Sequence, residues 1–169
     1  MQLDKKLLRM AVRQGACAAG RDKLAGMTDR NDMVNLYLAN IDFCLANDFP
    51  ENAVIRAEFG DIINDWGIYL DNDFEAQNRP KIVLLGASHG KVEIDDYNVS
   101  EIFIKHDSTL SLKASGNAFV MVDVFDDTIL EIHASDRAKV CVNHYGGDIR
   151  QECTEHAQIK LREKQQKTY

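Results

Sequence analysis

The sequence predicts an α+β protein in which an N-terminal bundle of three or four helices packs on a short C-terminal β-solenoid. Apolar residues recur every three or four positions in the first half, and every two positions beyond about residue 81. In addition, "SGNAFVMVDV" (115–124) and "SDRAKVCVNH" (135–144) repeat one order of small, apolar and polar residues twenty positions apart. Such a repeat is typical of a solenoid.

Two amphipathic helices are predicted first. Residues 2–26 place leucine and alanine at helical spacings and end near a glycine. Residues 28–48 follow with a wide apolar face. Thr28 or Asp29 can cap this second helix, because either side chain can accept from the exposed N–H groups of the first turn.

A third helix is predicted to begin at Pro50, since proline fits a first turn, and to continue towards Gly60. The pattern of residues 61–73 is ambiguous and is compatible with a short fourth helix that ends at Gly67, followed by an extended piece. These elements make up a helical region, residues 1–78, which is expected to cap or cover the solenoid.

The solenoid is predicted over residues 79–163, with a polar tail at 164–169. Residues 81–162 give about four coils of two strands each, with strands stacked at i and i+20. An antiparallel β-sandwich is the alternative, although the corners lack the Asn-Gly or Asp-Gly turns of hairpins. The apolar pairs that define the strands are Val92/Ile94, Ile102/Ile104, Leu110/Leu112, Val120/Val122, Leu130/Ile132 and Val140/Val142, with a weaker pair at Ile159/Leu161.

The middle residue of each pair points outwards. The pattern therefore predicts an outward column of Phe103, Met121 and Cys141, which is apolar where a solvated face would be polar. Either the chain's own helices cover this column, or it is a surface for self-association or for a protein partner.

Composition restricts the function. The formal net charge is −7, which argues against general nucleic-acid or anionic-membrane binding. No segment has the roughly 18 apolar residues that a membrane-spanning helix needs. The N-terminus does not resemble a secretory signal, so we expect a cytoplasmic protein.

The cysteines predict no metal site and no disulfide framework. Cys17, Cys44, Cys141 and Cys153 form no CxxC pair and are expected to be buried free thiols. The sequence predicts no catalytic residue, no cofactor and no metal ligand. Trp66, the single tryptophan, is expected either to pack where the two halves meet or to anchor a partner.

Polar residues also stack in the predicted solenoid. Lys113 and His133 should share one side, and Asp123 and Asn143 another. Such a set could act as an acid–base site, but we expect these side chains to be solvated polar residues at the corners. Acidic corners such as Asp126 are explained by turn formation, because Asp hydrogen-bonds its own backbone there.

The chain resembles a type of small bacterial protein that has a helical N-terminal part followed by a β-solenoid. The resemblance lies in the segments "LLRMAVRQGAC" (7–17), "IDFCL" (41–45) and "FGDI" (59–62). At the level of the repeat alone, residues 91–161 resemble the solenoids of bactofilins and of adhesin-like proteins. The resemblance implies the fold and assigns no functional residues.

The sequence thus favours a non-enzymatic structural or protein-interaction protein that associates with itself, as a homo-oligomer, or with another protein. The alternative is a module that binds carbohydrate or another extended ligand, with Phe125 and Tyr145 as stacking aromatics twenty positions apart. A solenoid-type lyase or hydrolase is a third hypothesis. It would need longer corner loops, for which 95–100 and 143–150 are the candidate places.

Overall fold

The structure, a computed structural model, describes residues 2–169. The chain divides between Asp65 and Trp66 into two compact units, one helical and one built of strands. The predicted fold class is confirmed: helices come first and a parallel β-solenoid follows.

The helical unit contains more helices than the sequence predicts, because two predicted helices are each interrupted. The first breaks at Gly15, which has a φ of +80° that glycine adopts readily. The second breaks at Asn40, whose φ of −127° lies outside the helical range. The helices of the unit are α1 (Leu3–Arg13), α2 (Ala18–Leu24), α3 (Arg30–Ala39), α4 (Ile41–Ala46), α5 (Asn52–Glu58) and a 3-10 helix (Gly60–Trp66).

The helix starts follow the expected chemistry with one correction. Asp29 caps α3, because its Oδ1 accepts from the N–H groups of Asn31 at 2.7 Å and Asp32 at 3.1 Å. The prediction for Pro50 was wrong by two residues, since α5 begins at Asn52.

Glu58 links three helices of this unit. Its Oε1 lies 2.9 Å from Lys6 Nζ on α1, and its carbonyl accepts from Arg30 Nε on α3 at 2.6 Å. The Lys6 ammonium, as hydrogen-bond donor and nearby charge, holds the pKa of the Glu58 carboxyl below its usual value.

The second unit is a solenoid of two facing parallel sheets. One sheet has the order β1-β3-β5-β7-β9-β11 and the other the order β10-β8-β6-β4-β2. Every pairing in both sheets is parallel, so the sandwich alternative was wrong. The strands are β1 (Ile68–Leu70), β2 (Asp73–Gln77), β3 (Lys81–Leu85), β4 (His89–Ile94), β5 (Val99–Ile104), β6 (Thr109–Ala114), β7 (Phe119–Val124), β8 (Ile129–Ala134), β9 (Lys139–His144), β10 (Asp148–Cys153) and β11 (Gln158–Glu163).

The register confirms the predicted repeat of twenty through the middle of the solenoid. Leu110 lies beside Leu130, and Val120 beside Val140. The stack has about five coils rather than the four predicted, because β2 and β3 form a shorter first coil. The solenoid unit therefore begins at Trp66, whereas the sequence placed residues up to 78 with the helices.

Corners of two to four residues join successive strands. In the four-residue corners the second residue has a left-handed φ, as at Asp96, Gly116, Asp126 and Asp136. Asp136 shows a further reason for an acid there, because its Oδ2 accepts from the Gly116 N–H of the preceding coil at 2.7 Å. The acidic corners are turns, as predicted, but the reason was wrong: the carboxylates of Asp136 and Asp126 accept from the backbone of the preceding coil, Asp126 from the His106 N–H at 3.0 Å, rather than from their own turn.

Candidate interaction surface

The C-terminal coil leaves the solenoid open. β10 is the last strand of one sheet and β11 the last strand of the other. Each strand has six residues, so the end presents two full-length edges with backbone groups that no further strand pairs. We define the open coil as residues 148–163.

The direction of these backbone groups follows from the existing bonds. Gln158 N–H donates to Ala138 O, and Asp148 N–H donates to Thr128 O, both at 2.9 Å and both towards the preceding coil. Residues alternate in a parallel ladder. The N–H and C=O groups of odd-numbered residues such as Gln151, Ile159 and Leu161 therefore face outwards along the solenoid axis.

The same odd-numbered residues continue the solenoid core. In the preceding coil, Leu130, Ile132 and Val142 are at most 1% exposed. Their neighbours in the open coil are Ile149, Gln151 and Leu161, and Leu161 is 37% exposed. The core is thus uncovered at this end, and its lining is part apolar and part polar.

The opposite end of the solenoid is closed by aromatic side chains. Tyr69 on β1 and Phe74 on β2 stack across the interior, with ring centroids 3.5 Å apart and planes within 5°. Gly90 makes room for this pair, because a Cβ there would lie 2.5 Å from the Phe74 ring. The edge strands at this end are β1 with three residues and β2 with five, both shorter than the six-residue edges of the open coil, and a shorter edge offers less for another strand to pair with.

Ion pairs tie the open coil to its neighbour, and the one on β11 involves His144. His144 Nδ1 lies 2.8 Å from Glu163 Oε2, and its Nε2 lies 2.8 Å from Gly147 O. Partial burial alone would lower the pKa of His144, but the Glu163 carboxylate and the Gly147 carbonyl outweigh it and raise the pKa. The charged imidazolium satisfies both contacts, since each ring nitrogen then donates.

The two edges differ in charge on their outward faces. β10 presents Asp148, Arg150 and Glu152, whereas β11 presents Lys160 and Arg162. Arg150 already lies 3.2 Å from Glu131 of the preceding coil. The β10 edge is therefore acidic on balance and the β11 edge basic.

The predicted apolar column needs a correction. Met121 and Cys141 are register neighbours, but Phe103 lies beside Asp123. The register of β5 was misread because its inward residues include the small polar Ser100 as well as the apolar pair. Phe103 is also buried, whereas Met121 is 39% exposed. That Met121 and Cys141 belong to an interaction surface remains a prediction.

The predicted ligand-stacking aromatics stack on each other. The rings of Phe125 and Tyr145 are 4.7 Å apart at an angle of 16°, and Phe125 is fully buried. Phe125 therefore offers no face to a ligand, and the prediction for it was wrong. Tyr97, at 78% exposure, is an exposed aromatic that the alternation of apolar pairs did not single out, because it lies in a corner.

The remaining candidates have mixed outcomes. Trp66 is half-buried at the end of the 3-10 helix, and its role as an anchor remains a prediction. Cys44 is buried as expected and Cys141 partly so, but Cys17 and Cys153 are exposed, contrary to the prediction. Cys153 belongs to the open coil.

The predicted polar stacks are confirmed. Lys113 lies beside His133 in register, and Asn143 Nδ2 donates to Asp123 Oδ1 at 2.7 Å. Within residues 2–169 no three His, Cys, Asp or Glu side chains are grouped to hold a metal ion. A shallow depression on one corner column is lined by Gly116, Asn117, Asp136, Arg137, Glu155 and His156.

The comparisons add no relative. No family model matches the chain, and no curated protein or solved structure matches it. The resemblance stated above holds for the architecture, namely a helical region followed by a solenoid of about five turns. Among residues 2–169, no helix has the length and apolar character needed to span a membrane.

Proposed function

We propose that this protein is a non-enzymatic structural protein whose solenoid associates with a second copy through the open coil. The observation behind the proposal is the pair of six-residue edges over an uncovered core. Unpaired strand edges are templates for another strand, and exposed core residues gain free energy when they are covered.

A second copy suits this end better than a partner of unrelated sequence. The open coil has an acidic edge on β10 and a basic edge on β11, so two copies can match both edges at once. A single extended peptide would cover one edge only and leave the other exposed.

The test is the solution mass by light scattering over a concentration series. Gln151→Pro should shift the protein towards monomer, because the Gln151 N–H faces the open side and proline removes it without breaking the ladder to β8. Gln151→Ala is the matched control, since it removes the same side chain and keeps the N–H.

Two outcomes are informative. Association that is weakened by Gln151→Pro and unaffected by Gln151→Ala supports the proposal. A mass of 19.1 kDa at all concentrations would overturn the proposal. The charged residues on these edges would then serve to prevent the pairing of strands between copies.

The alternatives are less well supported. An enzyme cleft needs long loops, and the candidate segments 95–100 and 143–150 are corners of only four and three residues between strands. A carbohydrate-binding face needs exposed stacking aromatics, and Phe125 is buried against Tyr145.

A further inference from the structure

We infer that the assembly is a closed two-fold dimer in which β11 of each copy pairs antiparallel with β10 of the other. This inference rests on the proposed self-association and adds its geometry. It specifies which edge meets which edge, the register of the pairing, and the number of copies.

The backbone restricts the register. In antiparallel pairing, two residues that both direct N–H and C=O groups at the partner must lie opposite each other. On both β10 and β11 these are the odd-numbered residues, which are also the inward ones. Any pairing that forms hydrogen bonds therefore places core residue against core residue, for example Ile149 against Leu161 of the second copy.

Charge selects between the two arrangements that a two-fold axis allows. If β11 met β11, Lys160 and Arg162 of one copy would lie opposite or diagonal to the same two residues of the other copy, and like charges directly opposite are destabilising. If β11 meets β10, Arg162 lies opposite Asp148 when Ile149 lies opposite Leu161. Lys160 then lies opposite Arg150, whose charge is already paired with Glu131 at 3.2 Å, and diagonal to Asp148 and Glu152, at a distance that long side chains can reach.

The closed end limits the assembly to two copies. Tyr69 and Phe74 fill the interior at the other end, and the edge strands there, β1 and β2, have three and five residues. Each chain therefore offers one full-length open end. A contact between identical ends related by a two-fold axis closes on itself and gives a dimer rather than a filament.

Disulfide formation tests the edge assignment. The starting chain has Cys17, Cys141 and Cys153 replaced by serine, while Cys44 is retained because it is buried. Asp148→Cys and Arg162→Cys are made as separate variants, mixed, and oxidised with copper phenanthroline.

In the proposed dimer, position 148 of one copy faces position 162 of the other. The mixture should therefore give cross-linked dimer, whereas either variant oxidised alone should give several-fold less. Lys160→Cys serves as the opposing probe, because position 160 lies near its own counterpart only if β11 pairs with β11.

The outcomes separate the inference from the function it rests on. Cross-linking of Lys160→Cys alone, or a mass above that of a dimer, would overturn the inference and leave self-association intact. A dimeric mass without cross-linking of the mixture would do the same. A monomer at all concentrations would overturn both.

Exchanging the charges of the proposed pair gives an independent check in a chain that keeps its own cysteines. Arg162→Asp should weaken the dimer about ten-fold, because the two-fold axis repeats the loss and places like charges together. Adding Asp148→Arg should restore most of the affinity. Failure of the double variant to recover would count against the Asp148–Arg162 register.

Discussion

His144 on β9 and Glu163 in the open coil form an ion pair, with Nδ1 and Oε2 2.8 Å apart. The imidazole also meets Gly147 O with its second nitrogen. A doubly protonated ring satisfies both acceptors, while a neutral ring satisfies one of them. The charge of this histidine therefore contributes to the attachment of β11, beside the backbone ladder to β9.

This contact predicts that the open coil loosens as the pH rises. The pKa of His144 is raised in the folded protein, so the folded state holds the proton more tightly than the unfolded chain. The stabilisation is complete below about pH 6.5, the value of an unfolded histidine, and is lost as the pH rises through the raised pKa. Hydrogen exchange of the β11 amides, corrected for intrinsic rates, should show less protection at about pH 9 than at about pH 6.

His144→Gln is the control for this prediction. Glutamine can still donate to the Glu163 carboxylate but carries no titrating charge. Protection of β11 should then become independent of pH in this range. A pH dependence that survives the substitution would assign the effect to another group.

A second prediction concerns the tight corners. Gly116 has a φ of +63°, and a Cβ there would lie 2.8 Å from Asp96 N of the preceding coil. Gly116→Ala should therefore lower the free energy of unfolding by about 1–3 kcal/mol, from backbone strain and from this collision. Urea denaturation followed by circular dichroism measures the change.

Asp96→Gly is the matched control in the same corner column. Asp96 has a φ of +55°, so glycine fits its backbone at least as well. We expect a change within about 0.5 kcal/mol. Equal losses in Gly116→Ala and Asp96→Gly would show that the side chains, rather than the backbone, determine the corner.

The repeat was predictable because the strand period and the corner step are local properties of the sequence. The sequence therefore predicts both sheets and their register of twenty from apolar residues such as Leu110, Leu130, Val120 and Val140. The first coil was missed because its inward residues, Phe74 and Ala76, lie in a polar context and its corners are one residue shorter. A register of sixteen between β2 and β4 does not repeat elsewhere in the chain.

The candidate surface was less predictable. Periodicity marks which residues face inwards, but it does not mark which coil is last. Ile159 and Leu161 have the same pattern as Val140 and Val142, yet only the structure shows that nothing in the described chain extends the sheet beyond them. The exposure of Cys153 follows from the same fact, since its inward position would be buried in any other coil.

The cysteines provide a third prediction. Cys17 and Cys153 are exposed, whereas burial, and secondarily Asp42, raise the pKa of Cys44 to about 12. Because the thiolate is the reactive form, a native titration with a coloured thiol reagent should modify Cys17 and Cys153 first and leave Cys44 unmodified until the protein unfolds. Cys17→Ser and Cys153→Ser should each remove one rapid equivalent.

The same titration reports on association. In a dimer through the open coil, Cys153 should become slower to react as the protein concentration rises, while Cys17 should not change. Parallel slowing of both thiols would point to a general effect of crowding or of another interface. Constant rates for both would contradict burial of β10.

The last prediction compares two leucines that both face the interior. Leu112 is fully buried in the third coil, and Leu112→Ala should cost about 2–5 kcal/mol at any protein concentration. Leu161, at 37% exposure in the open coil, already contacts water in the single chain. Leu161→Ala should therefore cost less than about 1 kcal/mol in dilute solution, and more at concentrations where a second copy covers the side chain. Urea denaturation of both variants at two concentrations distinguishes a surface that is solvated from one that is covered, because only a covered Leu161 makes its substitution concentration-dependent.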